Sequence, residues 1–553
     1  MNQTRFLLYL TACIGIYVWG AFAIPLMDID ASQYASISRA MLESKSYLQI
    51  FDLGKDYLDK PPMLFWMSAL SMKLLGVYDW AYRLPSLLFL GIALYATFKF
   101  TLLFYNVQIA RLATLILASC QAFFLIAHDV RTDTMLVGWV MLSIWLLAKW
   151  MSNNKNIYFF VGMVAIAGGM MTKGPIALII PILCFVPYWI TRKDWAYFYK
   201  PIYLLGVVLI AILLLPMSIG LYQQYDLHPG KLINGTPIQS GLRFYYWTQS
   251  FGRFTGENHF HEMGYFTFLL ENMFWSFLPW IFIFLWALIA KGIGIAKEGF
   301  FSTNTERISF YGFILTYLVL SRSQAQLPHY IFVVFPLAAI LTAAHLHETL
   351  FSQKTIVKPV KYFYHFHLFI FSILLIAIIW LAIVPFGMIG IAGKLLFLIV
   401  IIFALNQFSS KQLVGQKWFN ISMIIILGVN LFMNSFFYPH LLDYQWGSHV
   451  AKVMEEKKWD KEKLVAYKMP NSNALHFYGQ YIFPVILDSA VLKEGQFVVT
   501  DFKNAASIQS IFPKSVLLYR ANRFHVTMLT IPFLNPSTRN AEVTPFGVFE
   551  IKK

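Results

Sequence analysis

The sequence predicts an α-helical polytopic membrane protein with a small α/β domain at its C-terminal end. Three observations carry that expectation. Of 553 residues, 58% are hydrophobic and only 13% are charged, a balance that a water-soluble chain of this length does not have. Apolar runs of the roughly 20 residues that a bilayer demands recur from Leu7 to Tyr438, with charge collected in the gaps between them. After Tyr438 the apolar runs stop and short polar and β-branched segments take over.

A window of membrane-spanning length finds about thirteen spans, near 5–24, 81–103, 108–127, 134–151, 157–172, 175–191, 201–222, 266–291, 308–321, 328–347, 363–385, 391–407 and 419–438. Arg5 precedes the first span and no small-residue cleavage site follows it, so it is read as a retained helix. Cys13, Cys120 and Cys184 all fall inside spans and read as small apolar fillers, not as a disulfide framework or metal site.

Orientation follows from the Lys and Arg of short loops. With the N-terminus cytoplasmic, Arg111, Lys149, Lys155, Arg192, Lys193, Lys291, Lys297, Arg307, Lys354, Lys358, Lys361, Lys411 and Lys417 lie inside. The short outer loops hold only Arg131, Lys173, Arg322 and Lys394. An odd span count then places segments 25–80 and 223–265 outside together with the C-terminal tail. The net charge of +16 is thereby accounted for by topology and anionic lipid, and no nucleic-acid partner is required. The chain divides into a membrane part, 1–440, and an outer α/β domain, 441–553, with helical text at Val450–Trp459 and Asn504–Ile511 and strand-like runs at Leu464–Tyr467, Phe497–Thr500 and Ser515–Tyr519.

The chemistry collects in the outer loops. Asp28 and Asp30 stand where the chain leaves the first span, and Tyr34, Ile37, Met41 and Leu42 follow near helical spacing, which predicts an amphipathic helix in the interface. Asp30 is either the N-cap of that helix or a catalytic carboxylate. Asp59 and Lys60 precede the double proline Pro61-Pro62. The loop His128-Asp129-Val130-Arg131-Thr132-Asp133 packs four titratable side chains into six residues, and Thr172-Lys173-Gly174-Pro175 and Ser321-Arg322 to Tyr330 form further outer turns. Several loops thus bring a cation, and some a carboxylate, to one plane against the topological charge bias. That pattern suits a membrane-borne phosphate ester, with Arg and Lys stabilising the phosphate as it leaves and an Asp orienting or deprotonating the acceptor. Cavities between the spans would hold the lipid tail.

These residues carry a family resemblance. Asp30, Tyr34, Ala35, Ile37, Ser38, Arg39 and Met41 resemble the Asp-Glu-x-x-Tyr-Ala-x-Ile-x-Arg-Glu-Met signature of the aminoarabinose lipid A transferases and of their relatives among dolichyl-phosphate-mannose protein mannosyltransferase-like enzymes. Lys60-Pro61-Pro62, Arg83-Leu84-Pro85-Ser86, Thr172-Lys173-Gly174-Pro175 and Leu327-Pro328-x-Tyr330 are similar to later family motifs in the same order. The resemblance implies a GT-C fold, residence in the bacterial inner membrane with a periplasmic tail, an undecaprenyl-phosphate-linked monosaccharide donor and inversion at the anomeric carbon. The implied acceptor is lipid A, another glycan or a protein. Matched residue by residue, Asp30 is the essential first-loop Asp, Lys60 the donor-phosphate Lys and Asp133 the acid of the second outer loop. Ala31 stands where the family usually has Glu, and Gln326 where the lipid A enzymes commonly have Lys, so charge that would contact substrate is missing and the sugar is left unnamed.

The expected site therefore has Asp30 and Asp133 as catalytic acids and Lys60, Arg83, Lys173, Arg131 and Arg322 as the phosphate clamp. Asp28, Tyr34, Asp59, Arg39, Tyr330 and Arg253 are expected to contact substrate. No cofactor is required; His259 and His261, with Asp59, form a weak divalent-metal candidate within a lid-like stretch, 256–262. A monomer is expected. The competing class is a lipid or glycan flippase, which calls for charges at mid-membrane and paired broken halves, neither of which the sequence has.

Overall fold

The computed structural model describes the chain except for 234, 253–263, 302–304, 352–357, 386–390, 410–413 and 553. Its membrane part is a bundle of largely apolar helices. α1 (Gln3–Ala23) starts where the Asn2 side chain accepts from the Arg5 amide at 3.0 Å and leads into α2 (Asp30–Ser44) and α3 (Met63–Leu75). α4 (Asp79–Phe104), α5 (Val107–Ser119), α6 (Gln121–His128), α7 (Thr132–Asn153), α8 (Asn156–Lys173), α9 (Ile176–Arg192) and α10 (Ile202–Leu221) follow. Leu204, Val207, Ile212, Ile289, Ile376 and Ile402 stand exposed on helix surfaces that no protein covers, which is the surface lipid must cover. The chain is a multi-pass membrane protein. Cys13, Cys120 and Cys184 are free and buried among apolar side chains.

All thirteen expected segments contain helix, yet among the described residues only eight helices are long and apolar enough to cross a bilayer, or nine if α5 and α6, bent by 54° at Cys120, count as one span. The expected span 266–291 is two helices, Phe268–Ser276 and Ile281–Glu298, parted at Leu278-Pro279, where proline has no amide to continue the ladder. The expected span 308–321 is a helix of 14 residues. Helices inside a bundle need not match the bilayer thickness when neighbours shield their ends.

The first outer segment differs from the expectation in burial. α2 buries Ala31, Ser32, Tyr34, Ala35, Ser36, Ile37, Ser38, Arg39 and Met41, so its first three turns are covered on nearly every side and it does not lie as an amphipathic helix on the interface. α3 covers one face and the helix Asn473–Tyr478 of the C-terminal part covers another. Gly220 of α10 holds this layer close, because a Cβ there would sit 2.2 Å from the Leu48 carbonyl oxygen. Gln224 then donates to the Ile50 carbonyl and to Asp56, both at 2.8 Å, and ties the second outer segment to the first.

The short helix Tyr438–Leu442 straddles the expected domain boundary. Beyond it lies a five-stranded sheet ordered Val485–Ile486, Leu464–Tyr467, Phe497–Asp501, Thr544–Glu550, Val516–Arg523. The first three strands are parallel and the last two antiparallel to their neighbours. Thr544–Glu550, which the sequence reading passed over, lies inside the sheet and buries Phe546, Gly547, Val548 and Phe549.

Candidate active site

α7 and α8 set the centre of the site. α7 starts at Thr132, directly after Arg131, and α8 ends at Lys173 because Gly174 takes φ +104°, a left-handed turn that leads through Pro175 into α9. Lys173 Nζ donates to Asp133 Oδ1 across the two helices. The Asp133 side chain is 1% exposed, so its charge is stable only with partners. His329 Nε2 stands nearby, 3.5 Å from Asp133 Oδ2, an oxygen that accepts no hydrogen bond in this arrangement. The Nδ1 of His329 lies 3.5 Å from Arg131 Nη1. A guanidinium only donates and a carboxylate only accepts, so the neutral ring must carry its proton on Nε2. Lys173 Nζ also stands 4.0 Å from the centroid of the Tyr330 ring, a cation–π contact.

Arg131 carries the chain of contacts to the first outer loop. Its Nη1 donates to Asp30 Oδ2 at 2.6 Å and its Nε to Asp129 Oδ2 at 3.1 Å. Burial by itself would favour the neutral guanidine, but Asp129 and Asp30 outweigh it and raise the Arg131 pKa above its ordinary value. Asp30 is the first residue of α2 and its helix has no side-chain cap, so its carboxylate is spent on Arg131 and not on capping. Tyr34, one turn on, is buried edge-on to Phe65, and burial raises its hydroxyl pKa well above the usual value.

Lys60 arrives from the other side. Its Nζ donates to Asp59 Oδ2 at 2.6 Å, while Gln249 Nε2 donates to the Asp59 carbonyl oxygen. Lys60, Asp133, Lys173 and Tyr330 line one cavity of about 870 Å³ of non-atom space, part of it open to solvent. Its remaining wall is largely apolar, built from Leu136, Ile176, Ile179, Val319, Leu320 and Val333. Lys60 and Lys173 remain 17% and 16% exposed, so both can reach a group that enters. The arrangement is a charged head at the end of an apolar slot, the shape that an anionic headgroup with a hydrocarbon tail requires. A second cavity, about 1120 Å³, lies between α7, α8, α9 and α10 and is lined almost wholly by apolar and aromatic side chains such as Met163, Met170, Phe185 and Trp189.

Three residues of the expected site are spent on other contacts, and a fourth, Arg322, does not line the cavity. Arg83 is fully buried; its Nε donates to the His128 carbonyl at 2.9 Å, its Nη1 to Ala21 and Ile24 at 2.8 and 2.7 Å, and its Nη2 to Pro25 at 3.1 Å. It splices the end of α1 to α6 with four of its five N–H groups, and it is not among the residues lining the cavity. Arg322 is exposed at the end of the helix Ile308–Ser321 and is not among the residues lining the cavity, although Leu320 and Ser323 on either side are. Asp28 accepts from Ser32 and Ser472 hydroxyls and from the Ala474 amide at 2.9 Å, so it ties the first loop to the C-terminal part instead of facing substrate. Burial raises its pKa, against the pull of those donors. Arg39 is buried with Glu43 3.5 Å away, on the side of α2 that meets His476, and burial lowers its pKa. Arg253, His259 and His261, with the lid expected at 256–262, lie outside the described residues. Among the described residues no group of three His, Cys, Asp or Glu is placed to hold a metal ion.

Three members of the cluster were not singled out from the sequence: Asp129, His329 and Gln249. Asp129 and His329 sit within the titratable loop and the Leu-Pro-x-Tyr turn and could have been found there. Gln249 had no local signal.

Comparison with known proteins bears on the fold and on the relatives of the chain. Residues 59–219 match the family model described as dolichyl-phosphate-mannose-protein mannosyltransferase. The sequence is 27% identical over 334 residues to the undecaprenyl phosphate-alpha-4-amino-4-deoxy-L-arabinose arabinosyl transferase of Edwardsiella ictaluri, covering 58% of this chain and 55% of that one. It is 27% identical over 338 residues to the enzyme of the same name from Aeromonas hydrophila, covering 60% of this chain and 58% of the relative. The chain thus matches little more than half the length of these curated relatives. The crystal structure of ArnT from Cupriavidus metallidurans bound to undecaprenyl phosphate superposes with a TM-score of 0.74 at 15% identity, covering 99% of this chain and 98% of that one. The fold is the GT-C fold. At that identity the superposition extends over the C-terminal sheet as well as the bundle, so the two parts form the same overall architecture as in that protein.

Proposed function

We propose that the chain is an inverting glycosyltransferase that moves a monosaccharide from a polyprenyl phosphate donor to an acceptor at the outer, periplasmic face of the bacterial inner membrane. The observation that carries this reading is the single connected cluster Asp30–Arg131–His329–Asp133–Lys173 standing at the head of an apolar cavity that Lys60 also lines. The resemblance to arabinosyl transferases that use an undecaprenyl phosphate sugar, and to a structure binding undecaprenyl phosphate, supports the same donor class.

In this reaction the bond between the anomeric carbon and the donor phosphate oxygen breaks, and its electron pair leaves with the phosphate. Lys60 and Lys173 bind that growing charge, each exchanging part of its carboxylate contact for phosphate oxygen. The acceptor oxygen forms the new bond on the opposite face of the sugar. With a hydroxyl acceptor, Asp30 takes its proton; with a phosphate of lipid A, which needs no deprotonation, Asp30 and Arg131 orient it. Ala31 is fully buried and Gln326 donates to the Ser321 and Ser323 carbonyls at 3.0 Å, so neither side chain faces the cavity. The acceptor is a lipid A-like molecule, another glycan or a protein. The C-terminal sheet lies on the same side as the site, because Asp28 beside Asp30 bonds to Ser472.

The test uses membranes containing the full chain, a panel of polyprenyl-phosphate sugars, and mass spectrometry of lipid A and glycoproteins. Asp30→Asn and Lys60→Ala are each expected to abolish transfer while the protein remains folded; normal turnover in either variant refutes the assignment.

A further inference from the structure

The chain from Phe524 to Leu534, which links the strand Val516–Arg523 to the short helix Ile531–Leu534, is apolar on two sides at once. On one side Val526 and Phe533 are buried in the same cluster as Ile378, Ala382, Phe397, Val429 and Phe432 of the membrane helices. Those positions fall near the C-terminal ends of the helices Lys358–Ile383 and Val414–Phe432 and near the start of Ile391–Ser409, that is, at one common end of the bundle. Ile24, at the end of α1 that leads to Asp30, belongs to the same cluster, so this is the end that carries the site. On the other side Met528 is 69% exposed and Ile531 78%, with Leu529 exposed between them.

The loop is firmly built. Phe524 stacks on Phe533 at 3.8 Å between ring centroids, the Phe524 amide donates to the Tyr444 carbonyl at 3.0 Å, and Arg539 Nε donates to the Phe533 carbonyl at 2.9 Å. Thr530 caps the helix by accepting from the Phe533 amide at 3.2 Å. Three large apolar side chains thus stand outward together on one short, well-anchored loop, a patch that gains by meeting an apolar partner. The neighbouring surface says which one. Trp380 and Ile383, at the same end of the helix Lys358–Ile383, are exposed on a membrane-spanning element, and an exposed Trp at a span end marks the headgroup level.

We propose that Met528, Leu529 and Ile531 enter the lipid interface on the side of the membrane that carries the site, and so moor the C-terminal sheet to the bilayer. The helix Asn473–Tyr478 of the same C-terminal part in turn holds Asp28, just ahead of α2, through Ser472 and Ala474, and α2 itself through the Ser36 hydroxyl, which donates to the Asn473 carbonyl. The inference rests on the membrane character of the chain alone and stands or falls apart from the proposed reaction.

Because Cys13, Cys120 and Cys184 are buried, an introduced surface cysteine takes a thiol-reactive probe selectively. The full chain, one copy per lipid nanodisc, is labelled with an environment-sensitive fluorophore as Met528→Cys and as Ile531→Cys. Lys514→Cys is the control; it lies beyond the far end of the strand Val516–Arg523, about 25–30 Å from the loop at roughly 3.3 Å per residue. The expected result is blue-shifted emission and several-fold stronger quenching by lipids with a nitroxide near the headgroup at 528 and 531 than at 514. Water-like emission with equal quenching at all three sites overturns the proposal. So does protection that appears only when two copies share a disc, since a second chain would then be the partner.

Discussion

Arg83→Lys separates a phosphate clamp from a structural splice. A lysine keeps the positive charge and binds phosphate well as a point charge, so a clamp at this position would survive the change with a modest loss. A splice would not. The guanidinium reaches four backbone carbonyls, those of Ala21, Ile24, Pro25 and His128, from three nitrogens pointing in different directions. One ammonium on a flexible stem can satisfy about half of them, leaving at least two buried carbonyls without a donor. Each costs about 1–3 kcal/mol, so for two the loss is on the order of 2–6 kcal/mol. The assay is thermal unfolding of the purified chain in detergent or nanodiscs, alongside transfer measured per folded molecule. Arg83→Lys is expected to melt several degrees below the parent while its folded fraction keeps the parent KM for donor. Parent-like melting together with a tenfold or larger rise in donor KM would refute the structural role and return Arg83 to the clamp.

His329→Leu removes the ring that accepts from Arg131 and stands beside Asp133, and the activation barrier is expected to rise by about 1–3 kcal/mol, a fall in kcat of roughly 5- to 150-fold. His329→Gln, which keeps one acceptor and one donor, should retain most of the activity; equal loss in both variants would show that the hydrogen bonds are not what matters. In the C-terminal helix Asn473–Tyr478, His476 Nδ1 accepts from the Phe483 amide at 3.1 Å, and burial lowers the ring pKa from 6.5 to about 4. A depressed folded-state pKa gives stability that is present above pH 6.5 and lost as pH falls toward 4, about 2 kcal/mol after allowance for solvent screening. The melting temperature of the full chain should drop through that window, and His476→Gln should flatten the drop.

The site was legible in the sequence to an unequal degree. Asp30, Asp133 and Lys173 could be picked out because they are charges placed at the outer ends of spans, and Lys60 because it precedes the double proline of the first outer segment. Arg83 and Arg322 could not be sorted from Lys173 by the same rule, since residue type and loop position say nothing about where a side chain's hydrogen bonds go. Asp28 and Asp30 are two residues apart and chemically identical, yet one turns to Ser472 and the other to Arg131. The burial of α2 was likewise hidden, because its cover comes from the helix Asn473–Tyr478, more than 400 residues further along the chain.

Bilayer residence, the approximate placing of the helices and the face on which polar chemistry collects were all determined by the sequence itself. Each depends on a one-dimensional property, the length of an apolar run or the sign of the charge beside it, that lipid and water act upon locally. The partners of the charges were decided only by the tertiary structure. A carboxylate buried at 1% exposure, such as Asp133, is held by Lys173, 40 residues away, with His329, 196 residues away, standing 3.5 Å from its other oxygen. A low-dielectric interior makes those pairings strong, but only a folded chain brings them within reach of each other.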